Sequence, residues 1–285
     1  MHKVAILGCE NSHANSFLDA VINEKIVKDM EFVGVYSDDK EAAQRLHEKF
    51  GVPIADSYDA FVGKVDGIII TARHGDNHFK YAKPYIESGI PMFVDKPITC
   101  TEADATAFME QLKKYQVPVC GGSMCVLTDW VQKLKKDVAE TRYGKVIGGY
   151  LRAPLLTLEP HGGFFFYSQH LVQVMTEIFG CDPESVLAVQ NKDTYNCMVR
   201  YPKYDVNLVF VEDNHLYYAA INCEHAYDGA SYGLENCFQK EFMGFYDLLC
   251  GKPQKQSYEE FFAPVYIMNA IARAIKSGKE EVIHL

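Results

Sequence analysis

The chain has 285 residues, 48% of them hydrophobic and 23% charged, which gives length for two domains and apolar side chains for sizeable cores, and excludes a disordered chain. A formal net charge of −10 argues against a nucleic-acid groove or an anionic membrane surface as partner, because both call for clustered cations. Nine scattered cysteines with no CxxC pair suit a reducing compartment better than a disulfide framework, so a cytoplasmic protein is expected.

The first half alternates between two periodicities. Val4-Ala5-Ile6-Leu7-Gly8 is a short apolar run closing on glycine, read as a buried parallel strand and too short for a signal peptide or a membrane span. A helix follows with Phe17, Leu18, Val21 and Ile22 on one face, then a strand over 31–37 and a helix over 40–50 that Gly51 ends. Residues 65–72, centred on Gly67-Ile68-Ile69-Ile70, predict a fully buried strand. A helix over 77–88 ends at Gly89, a strand covers 91–96, a helix 101–116, and a strand 117–120 runs into Gly121-Gly122. Such alternation specifies a doubly wound parallel sheet.

From about residue 146 the texture changes to alternating or aromatic-rich strands, over 147–152, 185–190, 195–201, 205–211 and 216–222. One helix over 168–179 interrupts them, and two more, near 235–249 and 258–276, close the chain. Strands with segregated helices indicate an α+β domain with a mostly antiparallel, open sheet. The expected division is residues 1–121 and 122–285, with no repeat and no low-complexity linker between them.

Within the first half, Met92-Phe93-Val94-Asp95-Lys96-Pro97 delivers a lysine to a strand end that proline terminates. Ligands of open α/β sheets bind outside the carboxyl ends of the strands, so Lys96 is a site candidate; the alternative is a solvated strand-end lysine. Together with other segments this stretch resembles the glucose-fructose oxidoreductase / inositol dehydrogenase / MocA (Gfo/Idh/MocA) family of nicotinamide-dependent dehydrogenases. The resemblance is carried by the strand ending in Gly8, the loop from Thr71 to His78, Gly89-Ile90-Pro91-Met92-Phe93-Val94-Asp95-Lys96-Pro97, Tyr143-Gly144-Lys145-Val146-Ile147-Gly148, the helix around His170, and the terminal Ala274-Ile275-Lys276-Ser277-Gly278. It implies a dinucleotide-binding Rossmann domain followed by a substrate and oligomerisation domain.

A dinucleotide loop needs glycines where backbone nears the pyrophosphate, in front of a helix N-terminus. Here it reads Gly8-Cys9-Glu10-Asn11-Ser12-His13. Only the first glycine of G-x-G-x-x-G is present. Glu10 takes the second position, where its charge opposes a pyrophosphate unless the side chain turns away, and His13 takes the third; Asn11 and Ser12 are left for caps or phosphate contacts. The loop either keeps the cofactor or has lost affinity for it. At the end of the second strand Ser37 falls where an acid ordinarily holds the adenine ribose, with Asp38 just after it. Asp38 favours NAD over NADP if it reaches the ribose; otherwise Asp38 and Asp39 simply start a helix. The resemblance adds Thr71, Arg73, His78, Lys96 and Pro97 to the cofactor side of the site.

For chemistry, the resemblance implies Lys96 as the cation that polarises a substrate oxygen and His170 as acid/base, a role suited to imidazole. The alternative for His170 is a helix residue packed against the sheet, beside the core residues Leu171, Val174 and Met175. The sequence departs from the family where relatives carry an aspartate four residues before this histidine; Phe166 stands there, Gln173 follows three residues after it, and the segment past the last Rossmann strand reads Ser123-Met124-Cys125. Tyr167, Glu159 and Asp76 are the available substitutes, Tyr167 foremost. The expected function is an NAD(P)-dependent oxidoreductase acting on a sugar, cyclitol or related polyhydroxy compound, a homo-oligomer joined through the C-terminal sheet. The competing readings are a non-catalytic cofactor or metabolite sensor on the same fold and a metal-assisted enzyme built on His74-Gly75-Asp76-Asn77-His78 with His13, His161 and His170. No metal is expected, and Cys9, Cys120 and Cys125 read as small buried residues.

Overall fold

A computed structural model describes residues 1–158 and 160–285; Glu159, one of the substitutes for the missing aspartate, lies outside the described residues. The chain divides into two compact units, one made of Met1–Thr99, Ala103–Gly122 and Phe238–Phe261, the other of Cys100–Glu102, Ser123–Cys237 and Phe262–Leu285.

In the first half the elements run β1 (His2–Leu7), α1 (Ser12–Ile22), β2 (Met30–Tyr36), α2 (Lys40–Phe50), β3 (Gly67–Ile70), α3 (Asp76–Ile86), β4 (Met92–Asp95), α4 (Glu102–Tyr115) and β5 (Val119–Gly122). The five strands pair in parallel in the order β2-β1-β3-β4-β5. Every residue of β3 and β4 is buried, which is why both read as unbroken apolar runs rather than alternating ones. The direction of winding reverses between β1 and β3, where a doubly wound sheet leaves its ligand crevice. Gly8 closes β1 there at φ +92, and a Cβ on it would lie 2.2 Å from the Ala72 nitrogen, so the approach of the two strand tips demands glycine.

The second half continues with a 3₁₀ turn (Met124–Leu127), α5 (Asp129–Ala139), β6 (Val146–Leu155), α6 (Phe164–Phe179), β7 (Ser185–Gln190), β8 (Thr194–Arg200), β9 (Asp205–Glu212), β10 (Tyr217–Cys223), β11 (Tyr227–Tyr232), α7 (Cys237–Leu249), α8 (Tyr258–Ser277) and β12 (Glu281–Val282). Its sheet runs β11-β10-β6-β9-β8-β7-β12. The β6–β9 pairing is parallel and the others are antiparallel. Val206, Leu208 and Phe210 of β9 are fully buried on one face, and Phe164 at the start of α6 meets Phe210 edge-on at 5.8 Å. This is the α+β arrangement with a mostly antiparallel open sheet that the strand pattern implied.

Residues Phe238–Phe261, covering most of α7 and the start of α8, group with the parallel sheet although they follow the second sheet in sequence. A Cβ on Gly67 would lie 2.5 Å from Leu249 Cδ2, so the bare backbone of β3 lets the end of α7 come close. Phe17 of α1 packs edge-on against Phe93 of β4 at 5.2 Å and at a tilt against Phe242 of α7 at 5.5 Å; all three rings are buried.

The sequence reading missed α5, β11 and β12. The start of α5 carries a legible cap, the Thr128 hydroxyl accepting from the Val131 amide. β11, Tyr-Asp-Gly-Ala-Ser-Tyr, has no apolar alternation because it is an edge strand with no fully buried residue. The nine cysteines are thiols, with no disulfide among the described residues. Among the described residues no helix is long and apolar enough to cross a membrane.

Candidate functional site

In the first unit the candidate groups gather at the carboxyl tips of the strands. Glu10 does turn away from the start of α1. Its Oε2 accepts from the Cys9 amide (2.8 Å) and the Ser37 hydroxyl (2.6 Å), and its Oε1 from the Arg73 amide (3.0 Å). One carboxylate thus ties together the β1–α1 loop, the end of β2 and the loop after β3. Thr71 spends its hydroxyl on the Gly8 carbonyl (2.7 Å), which fixes the β1 and β3 tips to each other. Asn11 caps α1 through its side-chain oxygen on the Ser12 amide (2.8 Å). Asp38 accepts from the phenols of Tyr36 (2.5 Å) and Tyr81 (2.7 Å), and Lys80 Nζ lies 3.5 Å away. The Tyr36 and Tyr81 hydrogen bonds hold the Asp38 carboxyl below the usual carboxylate range, while burial pushes the Tyr36 phenol up to about 12. Asp38 side-chain exposure is 52%, so it faces solvent as an anion.

Beneath this rim is a cluster that sequence reasoning did not assemble. His13, at the third glycine position, has Nδ1 3.1 Å from Asp95 Oδ2 and Nε2 3.1 Å from Glu241 Oε2. All three are buried. The separations are those of ion pairs, although the approach is not that of directed hydrogen bonds. Burial alone would lower the His13 pKa, but the two carboxylates outweigh it and raise it. Burial pushes the Glu241 carboxyl up, partly offset by His13. Asp95 also accepts from Asn11 Nδ2 (2.6 Å) and from the Lys96 amide (2.7 Å). Lys96 itself is buried, and its bond to Pro97 is cis. Glu241 lies about 230 residues from the loop it touches, on α7, and nothing local in the sequence marks it.

The candidate histidines of the first unit have separate partners. His13 is held by Asp95 and Glu241. His78 places Nε2 2.7 Å from the Ala72 carbonyl and Nδ1 3.3 Å from that of Ile98, and burial lowers its pKa; the ring is a neutral brace between two loops. At the start of α3, whose N-cap is Gly75, His74 Nδ1 accepts from the Asp76 amide (3.2 Å).

In the second unit, His170 Nδ1 lies 2.7 Å from Ser123 Oγ and 3.4 Å from Cys125 Sγ. The Ser123 amide donates to Gln173 Oε1 (2.8 Å), which also accepts from Gln169 Nε2 (3.0 Å). Ser123 Oγ, on a backbone amide that Gln173 holds, is thus an orienting partner of His170. Phe166 is buried, so no polar group replaces the aspartate at that position. Tyr167 meets the His170 ring edge-on at 5.1 Å and the His215 ring at 6.0 Å. Burial pushes the neighbouring Tyr217 phenol up, with Cys125 and Tyr167 adding to it. Ser123 was missed as a partner of His170, as were the Gln169–Gln173 pair behind Ser123 and His215 beside Tyr167; the signal available was the Ser123-Met124-Cys125 departure at the end of the last parallel strand.

The chain thus combines a parallel doubly wound sheet, with a glycine turn and acidic groups at its strand tips, and an open, mostly antiparallel sheet. Residues 2–122 match the model of GFO_IDH_MocA, described as an oxidoreductase family with NAD-binding Rossmann fold. Comparison with curated proteins gives no match. Among solved structures, a myo-inositol dehydrogenase from Corynebacterium glutamicum superposes at TM-score 0.85 with 16% identity, covering 100% of this chain and 99% of that one. Myo-inositol 2-dehydrogenase from Lactobacillus plantarum gives 0.86 at 14% identity, with 99% of each chain covered. Scyllo-inositol dehydrogenase from Lactobacillus casei, with bound NAD(H) and scyllo-inositol, gives 0.86 at 13%, again covering 99% of each. At such identities the likeness is one of fold.

Proposed function

We propose that the chain is an NAD(P)-dependent oxidoreductase that acts on a secondary alcohol of a sugar, cyclitol or related polyhydroxy compound. The observation that carries this reading is the switch point of the parallel sheet. There a glycine that tolerates no Cβ brings β1 against the loop after β3, directly before a capped helix N-terminus. The residues present fit a dinucleotide: Gly8 allows close approach, Asn11 and Ser12 open α1 for a pyrophosphate, and Asp38 offers an ionised acceptor for a ribose diol. The Glu10 carboxylate is drawn toward Ser37 and Arg73, off the helix N-terminus. Thr71, Arg73, His78 and Pro97 shape the surrounding loops. NAD is the favoured cofactor, since Asp38 repels a 2′-phosphate.

When bound, the nicotinamide supplies the hydride acceptor. Lys96 places a cation at the end of β4 and polarises the substrate oxygen. His170 takes the hydroxyl proton at Nε2; for that, Nδ1 carries the hydrogen and donates to Ser123 Oγ. Tyr167 flanks the imidazole and supplies an aromatic surface for a ring-shaped substrate. Ser123→Ala is expected to lower kcat about tenfold, the value of one neutral hydrogen bond, with dinucleotide affinity and melting temperature retained and Ser123→Thr recovering most of the rate. An unchanged kcat for the alanine variant would remove Ser123 from the account.

The substitution of Phe166 for a carboxylate favours a second reading, a non-catalytic sensor on the same fold. One assay separates them: NADH or NADPH formation at 340 nm with NAD⁺ or NADP⁺ respectively and a panel of inositols, aldoses and sugar acids. Turnover with at least one polyol is expected; a dinucleotide that binds while no polyol is oxidised supports the sensor. Ile147, Tyr150 and Tyr227 are exposed on β6 and β11, and this open part of the sheet supports self-association as the expected oligomeric contact.

A further inference from the structure

The acid that ordinarily ends the second strand of a dinucleotide-binding sheet is missing, and a serine, Ser37, occupies its place. That serine is not idle: its hydroxyl donates to Glu10 Oε2 at 2.6 Å. Glu10 is anchored by two further donors, the Cys9 amide at 2.8 Å and the Arg73 amide at 3.0 Å. These donors come from the tips of β1, β2 and β3, so the carboxylate is fixed across the strand ends and cannot swing freely. An ionised carboxylate offers about four acceptor positions. Three are filled, two on Oε2 and one on Oε1, which leaves an acceptor on Oε1. The neighbouring acid is more heavily engaged. Asp38 serves two phenols and lies 3.5 Å from Lys80, while Lys40 Nζ sits 4.7 Å over the Tyr36 ring.

We infer that Glu10 is a relocated ribose acid: it accepts a hydrogen bond from the adenosine ribose diol, excludes a 2′-phosphate, and makes the chain selective for NAD(H), with Ser37 as the positioning residue. The inference rests on the oxidoreductase reading above. It turns the apparent defect of the loop, a carboxylate at the second glycine position, into the element that determines cofactor choice. Charge carries the discrimination. A 2′-phosphate brought to this rim meets Glu10 and Asp38 together, with Asp39 close by and Lys40 and Lys80 as the nearby cations, and neutralising Glu10 removes the excess of negative charge.

The test is the affinity of NADH and NADPH, measured by nucleotide fluorescence, for the wild type, Glu10→Gln, Glu10→Ala and Asp38→Asn. Thermal melting checks that each variant is folded. Wild type is expected to prefer NADH by about 50-fold or more, and both Glu10 variants to narrow that ratio at least about tenfold, Asp38→Asn narrowing it less. A ratio unchanged within about twofold in both folded Glu10 variants overturns the inference while leaving the oxidoreductase reading standing. Glu10→Ala binding a dinucleotide that the wild type does not bind also overturns it, because Glu10 is then a plug rather than a ligand. Absence of binding in all four proteins removes the oxidoreductase reading, and the inference with it.

Discussion

Replacing His13 by alanine is expected to cost about 3–5 kcal/mol of folding stability, the range for removing one partner of a buried ionic group. The reason is the company it keeps. Asp95 and Glu241 are both buried, and each points an oxygen at one ring nitrogen from 3.1 Å. Asp95 keeps the Asn11 and Lys96 amide donors after the truncation, but Glu241 keeps none among the described residues. His13→Phe combined with Glu241→Leu is expected to recover at least half of the loss, since a buried ion pair replaced by apolar groups of similar volume is often neutral. The pH dependence has a definite sign. The folded pKa of His13 is raised above its ordinary 6.5, so its contribution is complete below about pH 6.5 and is lost as pH rises through the folded value. Glu241 is also raised in the folded state, so its contribution is present below its ordinary value of 4.5 and falls away as pH rises through its own folded pKa. Wild-type stability therefore declines on the alkaline side of pH 6.5, and His13→Ala flattens that decline. Urea unfolding at pH 6 and pH 8 measures both effects; a truncation costing under about 1 kcal/mol would mean the cluster is not an ion network.

Lys96→Met is expected to lower kcat about 10²–10³-fold, the usual effect of deleting one preorganised donor to a developing charge. Methionine fills nearly the same volume in a site where Lys96 is only 4% exposed, so melting temperature should hold within a few degrees and NADH affinity within about tenfold. Turnover within about threefold of wild type, on a substrate found by the polyol screen, would take Lys96 out of the chemistry. The same variant tests a structural link. Asp95 accepts from the Lys96 amide and contacts His13, and the Lys96 charge bears directly on both His13 and Glu241. Their substitution is expected to lower stability first and kcat second.

Much of the fold was legible because buried parallel strands and amphipathic helices write their periods plainly. Ile68, Ile69 and Ile70 announced β3, and Lys40 to Phe50 announced α2 with Gly51 after it. β11 was invisible because an edge strand with Gly229 and Asp228 has nothing to alternate. The return of residues 238–261 to the first unit was invisible for another reason: a helix shows which face is apolar, not which sheet that face covers. The site divides in the same way. Lys96, His170, Gly8 and Asp38 could be named from strand ends and motif order. Glu241 as a partner of His13 and Ser123 as a partner of His170 could not, because they reach them across tens to hundreds of residues, and contact at that range leaves no spacing to read. The charge on Glu10 was evident in the sequence; its direction, toward Ser37 and Arg73, needed coordinates.

Calorimetric titration of NADH into the wild-type protein tests the central claim most directly, that the tips of β1, β2 and β3 form a dinucleotide site. One site per chain with a dissociation constant in the micromolar range is the result expected, about −5.5 to −8 kcal/mol. No heat of binding and no shift in melting temperature at millimolar NADH would contradict it.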